Sequence, residues 1–237
     1  MNIEIPIVVA GIMLLFTSIL IIMLSFYIYL KSINYRQISG IGFYQMIHNA
    51  GNFGEYLVYK EIENLNGNFK VLTNLYIPVD HNRNTEIDMI LIHENGIFVI
   101  ESKNYSGCIY GKEFKKEWLQ VLDNGFRKKF YNPIFQNKNH IKHLTNTLKF
   151  IEDEDIYSLI IFSERCNLKP IEISNCFTKV IKRNQLLQTI SVILNSTDVV
   201  FSKEDIETIY NILIKFTKVS DEVKKKHVEM IKSYNKK

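Results

Sequence analysis

The chain has only three cysteines, and their placement excludes a disulfide-stabilised fold. Cys108, Cys166 and Cys176 form no C-x-x-C pair, and three thiols cannot all pair with one another. We interpret them as buried or idle thiols, which fits a reducing compartment. Internal repeats and low-complexity segments are also absent, and 46% of the 237 residues are apolar. That fraction is enough for a real core, so extensive disorder is excluded.

Charge is absent from residues 5–30, a run that predicts a transmembrane helix. About 20 apolar residues already span the hydrocarbon core of a bilayer. A cleaved signal peptide would begin with a basic segment and end in small residues, whereas Glu4 precedes this run and Tyr27 and Tyr29 close it. Tyrosines are enriched at the membrane–water interface. The alternative is an apolar helix buried in a soluble protein.

The charges that flank the apolar run are asymmetric. Lys31 and Arg36 follow it, and no basic residue precedes it. Cytoplasmic segments next to membrane helices carry an excess of Lys and Arg. We therefore expect a single-pass protein of the cell membrane, with its N-terminus outside and the rest of the chain in the cytoplasm.

The rest of the chain alternates between helical and strand periodicity, which predicts one α/β domain. Asn132 and Pro133 are a typical N-cap and first residue of a helix, which we expect to end near Phe150. The parts that we expect are a transmembrane anchor over 1–30, a juxtamembrane linker over 31–50, a domain core over 51–165, a C-terminal strand and helices that complete the domain over 166–217, and a basic helical tail over 218–237.

The stretch TEIDMILIHENGIFVIESKNY, which starts at Thr85, predicts two buried strands with charged residues among them. Asp88, Glu101 and Lys103 interrupt its apolar runs. A buried carboxylate without a partner is costly or gives up its charge. These three side chains therefore need either counter-ions or a chemical function.

An Asn-Gly pair at positions 95 and 96 predicts the turn of a β-hairpin in this stretch. In that register Asp88 faces Lys103, Ile90 faces Glu101, and the three charged side chains share one face. Diagonal neighbours on one face lie about 7 Å apart, a span that a metal ion bridges when two carboxylates lean inward. Asp88 and Glu101 are therefore candidate metal ligands, and the alternative for Lys103 is a structural salt bridge to Asp88.

Two predicted helices could complete this site. Glu55 lies on the helical stripe of Val58 and Ile62, which should face the sheet. There it would be a third metal ligand or would hold metal-bound water, but an exposed glutamate favoured by the helix dipole is an equal alternative. Gln136, near the start of the helix that follows Pro133, is an accessory candidate for contact with the metal or with a phosphate.

His140 and His143 lie on that same predicted helix at a spacing that zinc sites use. No cysteine or carboxylate lies near them in the sequence. We therefore interpret the two histidines as a solvated or phosphate-facing pair.

Basic residues crowd the middle of the chain among aromatic side chains. Arg127, Lys128 and Lys129 lie between Phe126 and Phe130, and they are candidate nucleic-acid-binding residues. Such a patch can follow a phosphate backbone. A solvated face, or a surface close to anionic lipid, explains the patch equally well when it is taken alone.

The order of these motifs resembles the nuclease-related domain (NERD) family, a branch of the PD-(D/E)xK restriction-endonuclease-like superfamily. The resemblance covers roughly Gly51 to Arg165. It rests on GNFGE at the first predicted helix, on Asp88, on Glu101-Ser102-Lys103, on Trp118 and on NPIFQNKNH.

The resemblance implies a restriction-endonuclease-like mixed β-sheet flanked by helices and metal-dependent cleavage of phosphodiester bonds. Asp88 and Glu101 would bind Mg²⁺ or Mn²⁺, Lys103 would be the catalytic lysine, and Glu55 would be the acidic partner on the helix. Lys103 could orient or deprotonate the attacking water, or it could neutralise the scissile phosphate.

Together these features predict a membrane-anchored cytoplasmic nuclease that acts on nucleic acid, with DNA favoured over RNA. The alternative is a non-catalytic, membrane-tethered protein that binds nucleic acid or serves as a scaffold. The basic patch would suffice for binding, and the basic C-terminal stretch is the one indication of a scaffold.

The predicted orientation can be tested with a reporter fused after Lys237. The reporter should behave as cytoplasmic, because the basic residues follow the apolar run and none precedes it. Protease added to intact cells should leave the domain whole, and the same protease should digest it after lysis. Digestion in intact cells would show the opposite orientation.

Overall fold

A computed structural model describes residues 4–80, 83–220, 222, 223, 226 and 229 of the chain, so most of the predicted basic tail lies outside the described residues. The α-helices of this part are α1 (Glu4–Lys31), α2 (Ile33–Ser39), α3 (Phe43–His48), α4 (Ala50–Ile62), α5 (Pro133–Thr147), α6 (Leu186–Ser196) and α7 (Lys203–Leu213). The strands are β1 (Phe69–Pro78), β2 (Asn84–His93), β3 (Gly96–Lys103), β4 (Gly107–Tyr110), β5 (Glu117–Val121), β6 (Arg127–Tyr131), β7 (Ile156–Phe162), β8 (Cys166–Leu168) and β9 (Thr178–Lys182).

The strands form two mixed sheets. The first sheet has the order β1-β2-β3-β7-β9, in which β1, β2 and β3 are antiparallel neighbours and β3, β7 and β9 run parallel. The second sheet has the order β6-β5-β4-β8, in which β4 and β8 run parallel. The expected α/β fold, a mixed sheet flanked by helices and preceded by a long apolar helix, is confirmed. The strands divide between two sheets rather than forming one.

Apolar cores cover both faces of the first sheet. Side chains of α4 and α6 pack on one face, and side chains of α5 and α7 pack on the other. A strand that is buried on both faces needs apolar residues at nearly every position, which explains the continuous apolar runs of β2, β3 and β7. A charged residue in such a strand must then lie at its end or have a partner.

The β2–β3 hairpin turns at positions 94 and 95, so the predicted turn at 95 and 96 is wrong. His93 pairs with Gly96. Asn95 occupies the turn because its side chain has a structural role, in which Nδ2 donates to the backbone oxygens of Thr197 at 2.9 Å and Asp198 at 3.1 Å beyond α6. Gly96 supplies the positive φ of 142° at the start of β3.

This change of register gives Asp88 a new partner but leaves it on the same face. Met89 pairs with Ile100, so the next step of the ladder places Asp88 opposite Glu101 rather than opposite Lys103. The register differs from the predicted one by an even number of residues, so the period-two alternation is preserved. Asp88, Glu101 and Lys103 therefore remain on one face.

The first helix, α1, is long and apolar enough to cross a membrane. Its segment Val8–Lys31 has a mean hydropathy of 2.6, and this apolar stretch is not buried inside the fold. A signal sequence near an N-terminus has the same composition. The end of α1 contacts the domain, because Ile28 packs against the core and the ring of Tyr29 lies 5.3 Å from that of Phe43.

The segment between α1 and α4 is helical and packs against the domain. Tyr35 of α2 and Met46 of α3 are fully buried in the core that lies under α4. The ring of Tyr35 lies 5.6 Å from that of Tyr56 and 5.4 Å from that of Tyr59. The residues next to the apolar helix therefore help to hold α4 in place.

Candidate active site

The backbone ladder between β1 and β2 is interrupted at Asp88 and at Asn74, the residue opposite it. Asn74 has a positive φ of 54°, which is uncommon for a residue other than glycine. The ladder continues on either side, at Thr73–Met89 and at Leu75–Ile87. The interruption leaves Asp88 outside the regular pairing of β1 and β2.

The carboxylate of Asp88 turns instead toward β3. The backbone N–H of Ser102 donates to its Oδ2 at 2.8 Å. Burial raises the pKa of Asp88, and the negative charges of Glu101 and Glu55 raise that pKa further. An acid in such surroundings keeps its proton unless a cation compensates its charge.

Glu101 is 1% exposed, and its two carboxylate oxygens face different side chains. Lys103 Nζ lies 2.5 Å from Oε1, and His140 Nε2 lies 3.3 Å from Oε2. Burial alone would raise the pKa of Glu101, but Lys103 and His140 more than offset that effect and lower it. Oε2 has no partner in good hydrogen-bond geometry within the described part of the chain.

Lys103 is held as a cation. Burial would lower its pKa, but the charges of Glu101 and Asp88 raise it above the ordinary value. Its ammonium also donates to Oε1 of Gln136 at 3.1 Å, so α5 reaches the end of β3. The ion pair of Lys103 is formed with Glu101 on the same strand, and its raised pKa favours charge neutralisation over proton abstraction.

A close contact between α4 and the end of β3 brings Glu55 toward the carboxylates. A Cβ at Gly54 would lie 2.6 Å from the Cβ of Asn104, so glycine permits this approach. The Asn104 side chain fixes the helix start by donating from Nδ2 to the backbone oxygen of Ala50 at 2.5 Å. Glu55 is the next residue of α4 after this contact.

Glu55 points inward, toward the sheet. Tyr35 donates from its hydroxyl to Oε2 of Glu55 at 3.3 Å. Burial and the neighbouring charge of Glu86 raise the pKa of Glu55 to about 7, although the Tyr35 hydrogen bond acts in the opposite direction. Glu86 in turn accepts a hydrogen bond from the hydroxyl of Tyr76 at 2.6 Å. Of the two arrangements considered for Glu55, the structure has the one in which the side chain is half-buried and faces the sheet.

His140 belongs to the site, although the sequence interpretation placed it in solvent. It is 4% exposed, and its Nδ1 lies 2.7 Å from Oγ1 of Thr85 while its Nε2 faces Glu101. The interpretation as a solvated or phosphate-facing histidine is therefore wrong for His140. One feature of the sequence could have identified His140 as a site residue. It follows Gln136 by one helical turn, so both side chains lie on the face of α5 that meets β3.

The donor set suits a hard divalent cation. Among the described residues no three His, Cys, Asp or Glu side chains converge as a ready-made metal site. Mg²⁺ is usually held by one or two carboxylates together with waters and substrate phosphates. Asp88 and Glu101 are donors of that kind, and the raised pKa of Asp88 reflects an excess of negative charge that a cation would relieve. The residues present therefore fit Mg²⁺ or Mn²⁺.

The three predicted nucleic-acid-binding residues lie elsewhere, on β6 of the second sheet. Arg127, Lys128 and Lys129 are all exposed. Side chains alternate along the strand, so Arg127 and Lys129 project from one face and Lys128 projects from the other. Lys129 forms an exposed ion pair with Glu117 across the β5–β6 ladder at 3.1 Å.

Asp88 and Glu101 should have opposite effects on stability in the absence of divalent cations. Asp88→Asn should melt at the same temperature as the parent or higher, because the folded state disfavours the ionised acid. The gain in stability of Asp88→Asn over the parent should appear as the pH rises above 3.8, the ordinary pKa of an aspartate. Above that pH the Asp88 carboxyl of the parent ionises in the unfolded state but not in the folded state.

Glu101→Gln should instead lower the unfolding free energy, by up to about 3–5 kcal/mol, because it leaves Lys103 buried without its partner. The pKa of Glu101 is lowered in the folded state, so the parent should be more stable than Glu101→Gln at higher pH. It should lose this extra stability only as the pH falls through the lowered pKa. Thermal melts in EDTA from about pH 2 to about pH 8 measure both effects. Equal destabilisation by the two variants would contradict the charge arrangement.

Comparison with known proteins identifies the family. The sequence model of the nuclease-related domain matches residues 50–163, which include the four charged residues and Gln136. An uncharacterised protein of Bacillus anthracis is 32% identical over 186 residues, which are 76% of this chain and 83% of the relative. The match to the domain and the extent of this relative show that the chain belongs to the nuclease-related domain (NERD) family.

Proposed function

We propose that this protein is a membrane-anchored nuclease that depends on Mg²⁺ or Mn²⁺ and hydrolyses phosphodiester bonds of nucleic acid, with DNA favoured over RNA. The observation that carries the proposal is the convergence of Asp88, Glu101, Lys103 and Gln136 at one end of the first sheet. Membership of the nuclease-related family supports a nuclease-like activity.

Asp88 and Glu101 are the residues that would hold the cation. The chemistry that a divalent cation supplies at such a site is charge stabilisation at phosphoryl oxygens and activation of water. His140 faces Oε2 of Glu101 and would fix the orientation of that carboxylate. The backbone N–H of Ser102 does the same for Asp88.

Lys103 would neutralise the charge that develops on the scissile phosphate. Its ammonium lies between Oε1 of Glu101 and Oε1 of Gln136, which fix its position on the strand. Glu55, whose pKa is raised to about 7, can hold or release a proton at neutral pH. Glu55 is therefore the group of this site best suited to proton transfer with a water molecule.

The membrane anchor in this proposal is α1, with the N-terminus outside the cell and the domain in the cytoplasm. The apolar length of the helix and the basic residues that follow it support this orientation. The guanidinium of Arg36, on α2 just after this helix, lies 4.2 Å from the ring centroid of Tyr29, so a cation and an aromatic ring meet where the apolar run ends.

The decisive experiment uses the full chain in detergent micelles, because Ile28 and Tyr35 pack into the domain and a shorter fragment would remove them. The protein is incubated with plasmid, linear duplex DNA, single-stranded DNA and RNA, in Mg²⁺, Mn²⁺ or EDTA. Cleavage that needs the metal supports the proposal. A folded protein that binds nucleic acid but cleaves none of these substrates would instead be the non-catalytic tether.

Substitutions at the site should separate the roles of its residues. Asp88→Ala and Glu101→Ala should each abolish metal-dependent cleavage. Lys103→Ala should lower the rate by about 10²-fold or more while metal binding persists, because an ammonium is not a ligand. Glu55→Ala should lie between these. Initial rates measured beside circular dichroism spectra test the prediction, and unchanged cleavage by a folded Asp88→Ala protein would contradict it.

A further inference from the structure

The second sheet has one face that packs in the fold and one that does not. Its inner face carries Ile109, Trp118, Phe130 and Leu168, which contribute to an apolar core with β7. The side chains that alternate with these form the outer face: Cys108 and Tyr110 of β4, Glu117, Leu119 and Val121 of β5, Arg127, Lys129 and Tyr131 of β6, and Asn167 of β8 with Lys169 directly after it. None of these outer residues belongs to an apolar core formed by the described part of the chain.

Two tyrosines lie exposed on this outer face. Tyr110 is 44% exposed and Tyr131 is 43% exposed. Tyr110 pairs with Leu119, which pairs with Lys129, and Tyr131 is the next residue of β6 on the same face. Two strand spacings and two residues of rise separate the tyrosines by about 12 Å. The rings are therefore too far apart to stack on each other, and each is accessible to a ligand.

Cations lie on both sides of the two tyrosines of the outer face. Arg127 and Lys129 lie on the edge strand β6. On the other side, Lys169 directly follows β8, and the backbone N–H of Lys169 donates to the backbone oxygen of Ile109 at 3.0 Å. Glu117 is the one acidic side chain of the outer face as defined above, and it already pairs with Lys129. The face is thus apolar and aromatic at its centre and positive at its borders.

This arrangement matches one class of ligand better than others. Aromatic side chains flanked by cations bind single-stranded nucleic acid, because each base stacks on a ring and each phosphate meets a positive charge. A duplex hides the faces of its bases, so rings on a sheet cannot stack on them. A protein partner would not require the positive border.

We propose that the outer face of the second sheet binds single-stranded nucleic acid, with bases stacked on Tyr110 and Tyr131 and phosphates on Arg127, Lys129 and Lys169. This inference rests on the proposed nuclease function and names the class of substrate for it. The face lies close to the site along the chain, because β4 begins four residues after Lys103. The first strand of this face therefore follows directly on the strand that carries Glu101 and Lys103.

Fluorescence anisotropy with labelled oligonucleotides tests the proposal on the full chain in detergent micelles and EDTA, so that no cleavage occurs. Tyr110→Leu and Tyr131→Leu should each weaken binding of single-stranded DNA or RNA by about 5- to 150-fold, the range for loss of one stacking ring. Tyr110→Phe and Tyr131→Phe keep the ring and should bind like the parent. Duplex affinity should change less than about twofold, since stacking on a duplex is excluded.

Matched controls come from the same chain. Tyr44→Leu removes a tyrosine that is 73% exposed on α3 and should leave single-strand binding unchanged. Lys128→Ala removes a cation from the opposite face of β6 and should weaken binding less than Arg127→Ala does. The proposal would be overturned if Tyr44→Leu weakened single-strand binding as much as Tyr110→Leu and Tyr131→Leu do, or if Lys128→Ala weakened it as much as Arg127→Ala does. Unchanged binding in folded Tyr110→Leu and Tyr131→Leu proteins would also overturn it.

The binding and cleavage experiments test the two proposals separately. Tyrosine-dependent binding without any cleavage would contradict the proposed nuclease and support this single-strand site. Metal-dependent cleavage with tyrosine-independent binding would support the nuclease and overturn the single-strand site. Melting temperatures near that of the parent show that the tyrosine variants are folded.

Discussion

The carboxylate of Glu101 is buried at the end of β3, and Lys103 on the same strand compensates its charge. The other polar side chains of the site are arranged around this ion pair. Gln136 and His140 reach it from α5, and Asp88 lies opposite it on β2. Because Asp88 and Glu55 add more negative charge than one lysine can balance, the site has a deficit of positive charge that a divalent cation would remove.

The helices next to the long apolar helix α1 belong to the same arrangement. Tyr35 follows α1 by only a few residues, yet its hydroxyl donates to Glu55 and its ring packs on α4. A displacement of α2 would therefore change both the packing of α4 and the position of Glu55. The first helix is thus connected to the candidate site through packed residues, since Ile28 of α1 and Tyr35 of α2 both pack in the core under α4.

Local pattern was sufficient to predict the hairpin strands, the start of α5 at Pro133, and the shared face of Asp88, Glu101 and Lys103. The turn was misplaced by one residue, since Gly96 begins β3 instead of belonging to the turn. Asn95 is a turn residue in either register, and it binds backbone oxygens about 100 residues later, a contact that no local pattern reveals. His140 was missed for a similar reason, since a histidine paired with a buried glutamate reads like a solvated one until the sheet partner is known. The roles assigned to the site residues remain predictions.

A calorimetric titration of the metal-free protein with Mn²⁺ at pH 7, in two buffers of different ionisation enthalpy, tests the central claim most directly. If Asp88 and Glu101 form a cation site crowded by negative charge, Mn²⁺ should bind and release protons, because the pKa values of Asp88 and Glu55 are raised. Asp88→Asn should bind Mn²⁺ more weakly and release fewer protons. Absence of Mn²⁺ binding to the folded parent, or binding unaffected by Asp88→Asn, would contradict the account.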